Sequence, residues 1–444
     1  MFRLDRLYGE LHFPSLVSDT LDCPGLLRLR EVRMANIPFL SFPSFTGVTR
    51  YEHSLGVCHL AGIFADKVGL CDKDRIEVML AALYHDVATP PFGHAVEEVL
   101  SDLHGFDHEE KLREIIIGKA KDLGGQRTQL FLGRSLKLHK VCQSTHARAL
   151  GVDVLRIADI AAGSLNDTLG DVVCSSGIDL DNIDNVIRAA TSMGVREYGP
   201  AVAENLARSL VIDEGRVCID ESFSTYLKSW ESARSILYGM IYASIKDFSL
   251  QTMLKHALRI LANVPAENQL RETDWNLTDD ELIHQRLLLN RSTHDIVIRM
   301  RLADLYNCLS FLLIEPKDVS VKTAPSLYAI ERQAQDIFRR YIERVLKPKR
   351  TDFDLPEIIA NMYPDKRIRS AGRPVCFMGQ KFITKQELQP KRWILGVFTP
   401  HHRKWDQEAE IALYDYLSVN YHVQRLRCVR IGEGRYPNVE EDQK

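Results

Sequence analysis

The tightest constraint in this chain is a helical stripe that runs directly into a proline pair. From Asp74 the apolar residues Ile76, Met79, Leu80 and Leu83 recur at i, i+3, i+4 and i+7, one face of a helix. Val87-Ala88-Thr89-Pro90-Pro91 follows. Proline lacks an amide donor and disfavours helix before it, so the helix must stop there. His85 and Asp86 occupy the stop. Neighbours on a helix point about 100° apart, so an adjacent His and Asp reach one point only where the helix ends. A buried helix delivering a His–Asp pair at a forced terminus is the geometry of a site inside a helical bundle.

Most of the chain has the same helical character. His53, Val57, Leu60 and Phe64 share a stripe, which turns the His53 ring inward. Residues 230–261 and 295–313 read as further helices. Beyond about residue 346 the pattern changes. A basic, proline-punctuated connection leads to β-like runs at 375–384, 393–399 and 422–431, with an amphipathic helix over 406–417. The expected architecture is therefore mostly α. A helical body at 1–346, with its metal site within 50–190, carries a small α+β appendage at 347–444 whose polar end, 432–444, is a frayed tail.

Composition limits the alternatives. With 444 residues, 45% hydrophobic, the chain can bury a large core, and length alone implies two or three domains. A net charge of -3 and a pI near 6.6 give no global pull toward nucleic acid or anionic membrane. No apolar run approaches the ~18 residues of a membrane span. The mixed charges of Met1–Arg6 do not form a signal peptide. Nine cysteines stand far apart with no CxxC pair, so the thiols are expected reduced and buried in a cytoplasmic protein.

A third segment completes a set with His53 and His85-Asp86. In 178–188, Asp179, Asp181 and Asp184 are interleaved with Ile178, Leu180, Ile183 and Ile187, so at least one carboxylate faces a core-lined site. Two His and two Asp suit Mn, Fe, Zn or Mg, with nothing to select among them. Such an ion polarises a phosphoryl oxygen.

The order H…HD…D, with the flanks RYEHSLGV, ALYHD, PPFGHAVE, FDHEE and IDLDNID, resembles the HD-domain phosphohydrolases. Within these it is most similar to the dNTP triphosphohydrolase branch. The similarity begins at LDCPGLLRLR and continues to about residue 312, where 299–306 is similar to a late helix of the family. The resemblance implies an HD-domain helical bundle and places His53, His85, Asp86 and Asp181 as metal ligands. Asp153, in DVLRIAD, is a rival for the last position. The resemblance also implies His94, Glu97 and His108 as catalytic residues, with Glu97 pairing His108 for acid–base work. Arg50 and Arg234 fall at phosphate-holding positions, Tyr242 at a sugar-packing position, and Asn185 on the substrate wall.

The implied function is hydrolysis of a deoxynucleoside triphosphate to deoxynucleoside and triphosphate by a dimer or tetramer, with antiviral defence a possible context. Departures cluster on recognition. Thr89 stands where the family has a further His, Met34 where a Gln reads the sugar 3′-hydroxyl, and Asn182 and Asn185 where a basic residue and a Tyr flank the last metal Asp. They keep two alternatives open: a phosphodiesterase or nuclease, and a nucleotide-sensing regulator. Residues 347–373 and 391–404, basic with Tyr363, Trp393 and Trp405 nearby, are the stretch where a single strand could be tracked. Arg28 and Arg30 read as buried-network residues.

Overall fold

The computed structural model describes residues 2–119, 138–163, 167–174, 178–317, 327–346, 357–364, 366, 392–400, 407–419 and 421–426. It divides into two compact units. Among the described residues, the first comprises 2–237 and 258–293, and the second comprises 238–257 and those from 294 onward.

The first unit is the helical body. It opens with a hairpin, β1 (Phe2–Asp5) paired antiparallel with β2 (Gly9–His12), in which Asp5 faces Gly9. The long helix α1 (Arg50–Val68) is started by a capping box, in which Thr49 and Glu52 each accept the other's backbone N–H. It ends at Gly69, whose φ of 68° suits a left-handed cap. α2 (Asp72–Tyr84) packs along α1, and α6 (Leu180–Ser192) packs on another side of it. α3 (His94–His104), α4 (His108–Ile117) and α5 (Val154–Ala161) complete the surroundings of the site. The core between them is apolar: Val57, Leu60, Phe64, Met79, Leu80, Leu83, Ile157, Ile183 and Ile187 are all buried.

As the prolines require, α2 stops at Tyr84. The connection to α3 is held by two buried charged side chains. Arg28 donates to the carbonyls of Val87, Thr89, Trp275 and Leu277. Asp279 accepts the Phe92 amide at 2.9 Å and the Arg33 amide at 3.0 Å. Phe92 itself sits at φ 54°, unusual for a bulky residue, immediately before Gly93 at φ 55°. Of the two arginines expected in a buried network, Arg28 is buried but Arg30 is exposed, because Leu29 between them takes the inward position.

The second unit is built on a four-stranded antiparallel sheet. β3 (Asn307–Pro316), β4 (Ile359–Pro364), β5 (Trp393–Thr399) and β6 (Tyr421–Arg425) lie in the order β4-β5-β3-β6. α8 (Leu327–Leu346) and α9 (Gln407–Ser418) cover one face, with Phe338, Ile342, Leu413 and Leu417 packed on Leu312, Ile314, Leu395 and Val397. Phe248 packs on Phe311, Tyr363 and Phe398.

Two expectations change here. Residues 295–313 are not one helix: a helix over Arg291–Arg301 is followed by β3. The run Phe311-Leu312-Leu313-Ile314 is apolar on every residue because β3 is bonded on both sides and both its faces are covered, which removes the alternation that marks a strand. For the same reason the unit division does not fall at 346/347, since β3 and α8 belong to the sheet unit. The expected strand at 375–384, Trp405 and the tail at 432–444 lie outside the described residues. Of the two described aromatics in the basic stretch, Trp393 is buried and Tyr363 packs edge-on against Phe248.

Candidate metal centre and acid–base trio

His53 is on the first turn of α1, His85 at the end of α2, and Asp181 on the first turn of α6. Their ligand atoms lie within 4.8 Å of one another. His53 Nε2 is 2.9 Å from Asp181 Oδ1, and His85 Nε2 is 3.7 Å from the same oxygen. Donors held about 2.1 Å from one ion stand roughly 3–3.5 Å apart, so these separations fit a shared cation.

The hydrogen bonding of the far ring atoms fits as well. His85 Nδ1 bonds the Ala82 carbonyl at 2.8 Å, and its Nε2 is buried and receives no hydrogen bond. His53 Nδ1 bonds Asp184 Oδ2 at 2.7 Å. In both rings Nε2 therefore points into the cluster. These residues can hold a divalent ion.

Asp86 stands slightly apart from this trio. Its Oδ2 is 3.9 Å from His53 Nε2 and 3.8 Å from His85 Nε2. Both oxygens have protein partners: Arg50 Nη1 donates to Oδ2 at 2.7 Å, and the Thr89 hydroxyl donates to Oδ1 at 2.7 Å. Thr89 thus holds the aspartate of the corner, and the expected phosphate-holding Arg50 spends one donor on it. Asp153 serves elsewhere; its side chain caps α5 through the Leu155 amide.

Charge dominates the chemistry of the cluster. Burial works against a charged His53, but Asp181 and Asp184 outweigh it and lift the imidazole to about 10. His85 is also raised against burial, by Asp86 and Asp181. Burial pushes Asp86 toward its neutral form, yet Arg50 and then the two histidines hold it well below the ordinary carboxylate range. Asp181 is lowered likewise, by His53 and His85.

A second group lies at the start of α3 and α4. Glu97 bonds both histidines, with Oε2 2.9 Å from His94 Nδ1 and Oε1 in close contact with His108 Nδ1. Both Nδ1 atoms are thereby used, which leaves each Nε2 to meet a ligand. Glu97 is held down to about 2 by His108 and His94 despite burial, and the Glu97 bond raises His108. The Asp86 charge also raises His108, so the two groups share one electrostatic field. His94 is largely exposed, at 72% of its side chain, and Glu97 is 20% exposed.

The remaining predicted residues are placed as follows. Arg234, on α7 (Ser224–Ala243), lies over the Trp230 ring, and the Trp230 indole donates to the Asn182 carbonyl, next to Asp181. Asn185 is one turn beyond Asp181 on α6. Met34, in place of a sugar-reading Gln, is buried. Tyr242 belongs to the second unit, where its hydroxyl donates to the Pro364 carbonyl and accepts the Lys366 amide. The sequence singled out Asp184 only as one carboxylate of the acidic run and gave it no role of its own; it lies three residues after Asp181 and bonds the far nitrogen of His53.

Comparison with known proteins agrees with this geometry. The HD domain family model matches residues 50–137. A deoxynucleoside triphosphate triphosphohydrolase SAMHD1 homolog from Dictyostelium discoideum is 31% identical over 116 residues, 24% of this chain and 22% of that protein. The uncharacterized protein YwfO of Bacillus subtilis is 25% identical over 232 residues, 51% of this chain and 48% of its own. The chain thus spans between a fifth and a half of the length of these relatives. A crystal structure of a hypothetical protein from Aquifex aeolicus superposes with a TM-score of 0.61 at 19% identity, covering 94% of this chain and 99% of that one, which is a likeness of fold. The histidine–aspartate corner lies inside the segment that matches the HD domain model, and over that segment the chain is similar to deoxynucleoside triphosphate triphosphohydrolases.

Proposed function

We propose that this chain is a metal-dependent phosphohydrolase that cleaves a deoxynucleoside triphosphate to deoxynucleoside and triphosphate. The observation that supports it most is the pairing of two buried, convergent histidines and a carboxylate with the Glu97-bridged histidines on the next two helices. A divalent ion held by His53, His85 and Asp181, with Asp86 beside it, supplies the Lewis acidity that phosphoryl cleavage needs. Glu97 fixes His108 with Nδ1 engaged and favours its protonated form, so His108 Nε2 is placed to deliver a proton to a departing sugar oxygen. His94, oriented by the same carboxylate, offers its Nε2 to a phosphoryl oxygen. Arg50 and Arg234 supply the guanidinium groups for the remaining phosphates. A dimer or tetramer in the cytoplasm belongs to the same proposal.

The test is incubation of the purified protein with each dNTP and Mn²⁺ or Mg²⁺, with products separated by chromatography. Release of triphosphate is expected. Cleavage of an oligonucleotide instead of any dNTP would move the assignment to a nuclease, and a nucleotide-dependent thermal shift with no product would make the chain a sensor.

A further inference from the structure

We infer that Asp184, gripped by Arg188 and Tyr8, with Arg188 held in turn by Asp5, is the positioning residue that fixes the His53 ring, which makes the hairpin at residues 2–12 a working part of the metal centre. Asp184 Oδ2 takes the His53 Nδ1 bond at 2.7 Å and shares that oxygen with Arg188 Nε at 2.8 Å. Its other oxygen accepts Arg188 Nη2 at 3.0 Å and the Tyr8 hydroxyl at 2.8 Å. Arg188 continues outward, with Nη1 2.8 Å from Asp5 Oδ2. Asp5 Oδ1 in turn accepts the amides of Leu7 and Tyr8, at 2.8 and 2.9 Å, and so sets the turn of the hairpin. Asp184, Arg188, Asp5 and His53 are all buried.

A buried ion pair alone is poor evidence of function, because apolar residues often replace one without loss. This pair is different in one respect: the carboxylate oxygen that Arg188 holds is the same one that receives the ring nitrogen of a metal-cluster histidine. With Nδ1 committed to Asp184, Nε2 is the nitrogen aimed at Asp181 and His85. A neutral imidazole free of that partner can carry its proton on either nitrogen and can rotate. Carboxylates behind a ligating histidine are worth about 10–100-fold in metal affinity. Gly56 admits the arrangement, since a β-carbon there would stand 2.1 Å from Asp184 Oδ1 and 2.4 Å from Arg188 Nη2. The inference rests on the metal part of the proposed function and not on the nucleotide.

The experiment uses the full chain, stripped of metal, and Zn²⁺ as the probe, with affinity measured by competition against a chromophoric chelator. Asp184→Asn is expected to weaken Zn²⁺ binding 10–100-fold while the far-UV spectrum stays that of the wild type. Asp5→Asn, two bonds further out, is expected to weaken it less, by several-fold. Nitrogen-15 spectra of the Zn²⁺-loaded wild type are expected to show His53 protonated at Nδ1 and not at Nε2. Asp184→Asn binding within twofold of wild type, or a His53 ring protonated at Nε2, overturns the inference. If Asp184→Asn fails to fold, the ring spectrum of the wild type decides, together with Tyr8→Phe, which removes a single hydroxyl and should weaken Zn²⁺ binding measurably. A wild type that takes up no Zn²⁺ defeats the metal reading itself, whereas a binding wild type with undiminished variants defeats only this inference.

Discussion

Gly56 occupies a place on α1 where an alanine should be favourable by every local rule and unfavourable in fact. Glycine inside a helix costs about 0.5–1 kcal/mol relative to alanine, so Gly56→Ala gains that much from the backbone. Against it stands the packing of α6 on α1. The added carbon would meet Asp184 Oδ1 at 2.1 Å, Arg188 Nη2 at 2.4 Å and Asp184 Cγ at 2.9 Å. Neither side chain has free space, for Asp184 is bonded to His53 and Tyr8 as well, and Arg188 to Asp5. Breaking a buried ion pair costs about 3–5 kcal/mol. Net destabilisation of roughly 2–4 kcal/mol follows, which at about 2 °C per kcal/mol for a unit of this size lowers the melting midpoint by about 4–8 °C. Calorimetry of the metal-free protein measures it. Gly62→Ala, on the same helix, is the control: its new carbon meets only the end of Met79, with Cε at 3.3 Å, and should change stability by less than about 1 kcal/mol. A Gly56→Ala protein that melts at or above the wild type would refute the claim that glycine is there to let the carboxylate and guanidinium approach.

Three further outcomes are expected. Zn²⁺ or Mn²⁺ at 100 times its dissociation constant should stabilise the wild type by about 2.7 kcal/mol, visible in a thermal scan, and His85→Ala, which removes the buried Nε2 without a bonding partner, should abolish the shift. His108→Ala should keep that metal-induced shift and lower turnover about 10²–10⁴-fold; a normal rate would remove His108 from acid–base work. The Glu97–His108 pair should stabilise the fold within a bounded pH window. Glu97, held to about 2 from an ordinary 4.5, contributes above about 4.5 and loses its contribution as pH falls toward 2. His108, raised above 6.5, contributes fully below that value and loses its contribution as pH rises through its elevated folded value. A proton NMR titration in which His108 ionises at or below 6.5 would contradict the pairing.

What the sequence disclosed about the fold follows from how locally each feature is determined. The end of α2 was legible because Pro90 and Pro91 act on the backbone next to them, and the inward turn of His53 because Val57, Leu60 and Phe64 share its stripe. β3 was not legible. A strand paired on both sides and covered on both faces has no polar alternation to distinguish it from a buried helix, and only its partners, β5 and β6, more than 70 residues later, define it. Arg28 and Arg30, two residues apart, looked equivalent, yet one reaches four carbonyls in the interior and the other faces solvent.

At the site, residue type was readable and partnership was not. Asp179, Asp181 and Asp184 are chemically identical in the sequence, and each does something different. Asp179 caps α6 through the Asn182 amide, Asp181 faces both histidines, and Asp184 lies behind His53. Helical geometry separates the last two: three residues on, the side chain is one turn along and on nearly the same face, so Asp181 and Asp184 approach one imidazole from its two nitrogens. The same logic explains Thr89. Its sequence position marks it as a departure in recognition, but three residues after Asp86 its hydroxyl returns to the aspartate and secures one oxygen, while Arg50 secures the other. The corner is therefore defined by the groups that hold His85 and Asp86 in place as much as by those two residues. Substitutions that spare the dipeptide but remove Arg50, Thr89 or Asp184 remove an observed support from the site.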